Sequence, residues 1–203
     1  MGQYYNAVVL KTNWKLAINP VKASVKCYDC DNNGAKIMEH CYVKNAYVRV
    51  MEFLLANAFK GHPFVWCGDY ADEVETKTGT HDIYTDASHF IYKDYDDPRD
   101  YGKSKQYKAL MATIPSREDI PVYRYIVNYT KKQYCIIPKY NEKKWQVHPL
   151  PLLTSSGNGR GGGDYRLDDD RVGSWAFDRI GVTNDRAEIK GFKQISGFFK
   201  LDW

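Results

Sequence analysis

"VYRYIVNYTKKQYCIIP", residues 122–138, decides the fold class. Two alternating runs of aromatic and β-branched residues flank the polar turn "NYTK". A period of two puts successive side chains on opposite faces of a strand, so the stretch predicts an antiparallel hairpin with a four-residue turn. Outward from it, further short stretches read as strands bounded by turn residues: "QYYNAVVL" (3–10), "WKLAI" (14–18), "VKASVKCY" (21–28), "PFVWC" (63–67), "WQVHPLPLL" (145–153), "VGSWAFDRIGV" (172–182) and "FKQISGFFKLDW" (192–203).

One segment has a different period. Asn45 is placed as an N-cap; Tyr47, Val50, Met51, Leu54, Leu55 and Ala58 then recur at helical spacing, and Gly61 closes the segment. A helix over about 45–59 with that stripe needs an apolar surface to cover. The expected fold is therefore α+β: a mainly antiparallel sheet of about seven or more strands with one principal packed helix. Residues 74–121 are polar and patchily acidic. They predict irregular structure with one or two short helices near 104–112, an insertion within a single domain spanning 1–203.

Composition excludes several classes of function. With 43% hydrophobic residues the chain can build a core, and a net charge of +4 admits an anionic partner without marking a nucleic-acid binder. Seventeen tyrosines, eight phenylalanines and five tryptophans make 15% aromatic residues, suited to half-exposed strands and binding faces. No apolar run approaches the roughly 20 residues of a membrane span. The start "MGQYYNAVVLKTNWK" lacks a basic region ahead of an apolar one, and Asn6 stands where myristoylation needs Ser or Thr. A cytoplasmic protein without membrane partners is expected. Its five cysteines are expected to be reduced thiols.

The richest chemical signal is "SSGNGRGGGDYR", residues 155–166, with five glycines and two arginines. It contains neither a Walker A loop nor a credible dinucleotide fingerprint: Gly157, Gly159 and Gly162 match GxGxxG, but late in the chain and with no helical stripe after them. Glycines can still turn successive N–H groups into one concavity, and Arg160 and Arg166 can grip a phosphate or carboxylate. The candidate binding residues are Gly157, Asn158, Gly159, Arg160, Gly161, Gly162, Gly163, Asp164 and Arg166. The bland alternative is a mobile surface loop.

Three weaker constellations stand beside it. Cys67, Asp69, Asp72 and Glu73 follow a buried strand, a common place for catalytic carboxylates, with His62, His81, His89 and His148 available as bases. Each alone is more often structural. Cys27, Cys30, His40 and Cys41 hold one CxxC pair and two adjacent ligands, an awkward set for one zinc ion, and no structural zinc is expected. "YTKKQY" (129–134) and "KYNEKKW" (139–145) interleave lysines with aromatic rings. A nucleotide base would use that pattern, and so would a hairpin protecting its edge.

"MGQYY" (1–5), "NNGAKIMEH" (32–40), "VWCGDYADE" (65–73) and "HPLPLLTSSGNGRGGGDYR" (148–166) together resemble a family of small proteins of gut Bacteroidota and their phages. The likeness spans most of the chain apart from residues 74–121. It implies a cytoplasmic accessory protein, phage-borne, of a kind that often blocks host defence, and it carries over no activity and no functional residues. Two functional readings compete. One is a non-enzymatic protein that holds an anionic ligand, a nucleotide above all, at the Gly/Arg loop. The other is a hydrolase or transferase acting on a nucleotide or nucleic acid through the carboxylates near Asp69. A structural or protein-interaction module is the third. No cofactor is implied.

Overall fold

The computed structural model describes residues 4–11, 14–18, 36–76, 79–85, 105–116, 118–142, 144, 146–157 and 169–199. The main sheet contains β1 (Tyr5–Lys11), β2 (Trp14–Ile18), β3 (His62–Gly68), β6 (Tyr125–Asn128), β7 (Gln133–Ile136), β8 (Ser155–Ser156), β9 (Arg179–Thr183) and β10 (Lys193–Ile195). They run in the order β10-β7-β6-β9-β3-β1-β2, with β8 beside β3. Among the described residues, only β7–β10 and β3–β8 pair in parallel. The chain is an α+β protein on a mainly antiparallel sheet.

The hairpin that set this expectation forms, shifted by one residue. Asn128 ends β6 opposite Gln133, so the turn is Tyr129–Lys132. The buried Asn128 side chain accepts from the Lys131 N–H at 2.9 Å, a turn stabilised by its own strand end. Period two decides which face each residue serves. Ala7, Val9, Phe64, Trp66 and Ile126 enter the main core, while Val8, Val65 and Cys67 face a second, smaller one. Tyr125 and Val127 face a third, with Ile189. With both faces covered, these strands read as nearly continuous apolar runs.

Named helices among the described residues are α1 (Ile37–His40), α2 (Ala46–Ala56), α3 (Lys105–Ala112) and α4 (Pro149–Leu153). Helix α2 is the principal one. The Asn45 side chain caps it, accepting from Tyr47 N at 2.9 Å and Val48 N at 3.2 Å. Tyr47, Val50, Met51, Leu54 and Leu55 are buried where α2 crosses β9. The Tyr47 hydroxyl also accepts from Ala7 N at 2.8 Å, fastening the helix to β1. Ala58 does not join the stripe. The helix ends at Ala56, Ala58 is exposed, and Phe59 takes the buried place as its N–H turns back to the Leu54 carbonyl. Gly61, at φ +72°, then turns the chain into β3. Leu54→Ala is expected to lower the unfolding free energy by about 2–5 kcal/mol, read from urea denaturation. A loss under about 1 kcal/mol would mean the stripe is not packed.

Three further expectations need correction. "WQVHPLPLL" is not a strand. Val147 makes one isolated bridge to Tyr42, and Pro149–Leu153 is helical. Proline cannot donate to a sheet but suits the first helical position, and His148 caps the turn by accepting from Leu150 N at 3.2 Å. In "VGSWAFDRIGV" only the end is strand, because residues 171–178 form successive turns. Of "FKQISGFFKLDW", Lys193–Ile195 form β10, residues 196–199 are not strand, and residues 200–203 lie outside the described residues. Within 74–121, β4 (Val74–Thr76) and β5 (Gly79–His81) make a separate two-stranded sheet, and α3 lies where a short helix was expected. "VKASVKCY" lies outside the described residues. Among those described, no helix is long and apolar enough to cross a membrane.

Candidate functional site

Asn158–Gly163, Asp164 and Arg166 lie outside the described residues, and so does His89. Gly157 is described and exposed. Strand β8 just before it pairs with Trp66 and Cys67. Gly157, where the Gly/Arg stretch begins, therefore follows a strand that lies beside the end of β3. At its far end Asp169 is held by Arg171, whose Nε donates to Oδ1 at 2.8 Å and whose guanidinium also reaches the Ser196 and Phe198 carbonyls at 2.9 Å. That arginine hydrogen bond holds the Asp169 carboxyl below its usual range. Gly173, at φ +70°, runs so close to β8 that a Cβ would stand 2.7 Å from the Ser155 carbonyl oxygen, so only glycine fits.

Of the candidate catalytic group, Cys67 is buried in the second core and makes a weak contact to the Gly68 carbonyl at 3.7 Å. Asp69 fixes the start of β1: its Oδ1 accepts from Tyr4 N at 3.0 Å, and its own N–H donates to the Tyr4 carbonyl at 2.8 Å. Asp72 and Glu73 are exposed. Cys27 and Cys30 lie outside the described residues. His40 is buried and stacked on Trp66, with its Nε2 taken by the indole N–H at 2.7 Å. Burial pushes the neighbouring Cys41 thiol up to about 12. No group of three or more metal-ligating side chains occurs among the described residues.

Lys131 and the hairpin tyrosines serve the fold. Lys131 lies 3.4 Å from Asp178, Tyr129 donates to Glu188, and Tyr134 donates to Gln194 at 3.0 Å. The second basic-aromatic stretch goes elsewhere. Lys139 and Tyr140 line a pocket of about 500 Å³ between the start of α2, the outer ends of β6 and β7, and the approach to α4. That volume falls within the roughly 300–1,000 Å³ typical of small-molecule sites.

The pocket has a charged mouth and a buried floor. Lys44, Arg124, Lys139 and Tyr140 are exposed at the mouth, where the Lys44 ammonium sits 3.5 Å above the Tyr140 ring. Val43, Val122, Ile136, Ile137 and Pro138 provide apolar wall. At the floor, Glu52 from α2 meets His148 from the cap of α4, with Oε1 and Nε2 2.9 Å apart and both residues at most 5% exposed. The His148 Nδ1 already accepts from Leu150 N, so the ring proton belongs on Nε2 and is donated to Glu52. Arg49, one turn before Glu52, also lines the pocket and donates to the Ile120 carbonyl. Burial raises the Tyr123 phenol; an Asn57 hydrogen bond lowers it, and the nearby Glu52 and Arg49 act in opposite directions.

The lining thus sets four basic side chains against one carboxylate. This arrangement can hold an anion at the mouth and a flat, polar-edged group inside. The molecule is an α+β protein with a cationic, aromatic pocket over a buried histidine–carboxylate pair. Comparison of the chain with protein-family models, with curated proteins and with solved structures finds no match.

Proposed function

We propose that this protein binds an anionic small molecule without transforming it, and that the ligand is a nucleotide. The carrying observation is the pocket under Lys44, Arg124 and Lys139, with apolar and aromatic walls over the Glu52–His148 floor. A phosphate at the mouth would meet charges that three exposed side chains present, while the rings of Tyr123 and Tyr140 offer surfaces to a base. The pair at the floor favours binding over turnover. His148 has both ring nitrogens engaged, one capping α4 and one on Glu52, so it positions rather than transfers protons. Sequestration of a nucleotide would also suit the accessory, counter-defence role that the sequence resemblance implies.

Isothermal titration with nucleoside monophosphates and triphosphates tests this reading. Arg124→Ala and Lys139→Ala should each weaken binding by about 1.5–3 kcal/mol, the scale of a hydrogen bond to a charged group. Thermal stability should barely change, since both side chains are exposed. Unchanged affinity in both variants would remove the pocket from the site.

One observation favours a second reading. The parallel β3–β8 pairing brings the root of the Gly/Arg stretch beside Cys67, two residues before Asp69 in the segment that carries Asp72 and Glu73. An enzyme acting there on a nucleotide would keep its activity in the pocket variants and lose it on Asp72→Asn.

A further inference from the structure

We infer that the pocket selects guanine nucleotides, reading the base with Arg49 and Glu52; this rests on the pocket's being the nucleotide site. Glu52 is more than nine-tenths buried yet lines the cavity. Its Oε1 accepts from His148, and its Oε2 has no hydrogen-bond partner among the described residues. That oxygen is not among the fully enclosed unpartnered atoms of the described residues, so it is reachable from the cavity and free to accept from a ligand. A carboxylate accepts up to about four hydrogen bonds, so the one from His148 leaves room for two neighbouring N–H groups.

Arg49 stands one helical turn before Glu52 on the same helix face and lines the same cavity. One of its N–H groups is held by the Ile120 carbonyl, and the others give the cavity lining a cationic donor on the same helix face as the paired acceptor. The hydrogen-bonding edge of guanine is its complement: O6 accepts, while N1–H and the N2 amino group donate. Adenine presents one donor and turns the N1 lone pair toward the carboxylate, which repels it. Hypoxanthine keeps O6 and N1–H but lacks the second donor. His148 holds the Glu52 carboxylate in place through Nε2 and is itself fixed by its cap on α4, so the recognition pair is set before ligand arrives. Lys44, Arg124 and Lys139 then lie at the mouth for the phosphate.

The test is isothermal titration of the full chain with GMP, IMP, AMP and ribose 5-phosphate. GMP should bind about 10- to 100-fold tighter than AMP, with IMP between them and ribose 5-phosphate weakest. Glu52→Gln retains an acceptor for the His148 N–H and should abolish most of the preference for GMP over AMP. Equal affinity for GMP and AMP in the wild-type protein would overturn the inference and leave the nucleotide site standing. Ribose 5-phosphate binding as tightly as GMP would overturn it too, leaving an anion site that does not read the base. No binding of any of the four would overturn both the inference and the pocket reading. The wild-type ratios decide the matter even if Glu52→Gln fails to fold.

Discussion

Trp66→Ala is expected to lower the unfolding free energy by about 3–5 kcal/mol, among the largest effects of any single substitution in this chain. The side chain is fully buried in the middle of β3 and touches most of what holds the fold together. Its ring stacks on His40 at 5.2 Å, meets Tyr47 of α2 at 5.0 Å, and stands edge-on to Phe64 at 5.9 Å. Truncation opens a cavity at the junction of α1, α2 and the sheet. It also strips the His40 Nε2 of its donor, a further penalty of about 1–3 kcal/mol if no water enters. Trp66→Phe separates the two costs, since it keeps most of the volume and loses only the indole N–H. Denaturation followed by circular dichroism, with the alanine variant within about 1 kcal/mol of the parent, would show that the cluster is not the centre of the core.

That centre was legible only in part. The continuous apolar run of "PFVWC" and the stripe from Tyr47 to Leu55 state which residues are buried, because a short apolar run marks a strand covered on both faces and period 3.6 marks one face of a helix. They do not state that His40 belongs with them. A histidine beside a cysteine suggests a metal ligand, and only the fold, by laying α1 against β3, turns it into an acceptor for Trp66. The misreading of 145–153 has a similar cause. Apolar residues between prolines fit a short strand and a short helix alike, and the decision falls to His148, whose cap on Leu150 is invisible in a hydropathy pattern. Ala58 was assigned to the stripe because spacing alone carries a helix onward, whereas the chain turns at Asn57 and spends its next buried position on Phe59.

The pocket was harder still. Its walls come from residues 43–52, 122–124, 136–140, 148 and 184, segments that meet only once α2 crosses β9 and the hairpin folds. The sequence did mark Lys139 and Tyr140 as a basic-aromatic pair and His148 as an available base. It gave no means of joining them to Glu52, which reads as an ordinary polar position on an amphipathic helix. The prominent Gly/Arg stretch drew attention for its composition, while the described cavity is built from residues that look ordinary one at a time.

The second large effect concerns acid. Burial holds the His40 ring far below its ordinary 6.5, at about 3, with a backbone contact at Lys36 offsetting this in part. In the unfolded chain the same ring takes up a proton near its ordinary value. Between about pH 6.5 and 3 the unfolded state therefore binds one more proton than the folded state, and stability falls as pH falls through that window. The slope from this one group is about 1.4 kcal/mol per pH unit, so roughly 3 kcal/mol is lost by about pH 4. Other groups also respond to acid, Asp169 among them, and they must be subtracted. His40→Gln does this. A glutamine oxygen can accept the Trp66 indole N–H, and the side chain does not titrate, so every other contribution stays the same. The variant is expected to lose stability with acid more gently than the parent, the two curves converging by about 1.4 kcal/mol per pH unit below about pH 6 in urea titrations. Parallel curves over that range would mean that His40 already carries its proton in the folded protein, and that the stacked, indole-donated geometry against Trp66 is not the one the ring adopts.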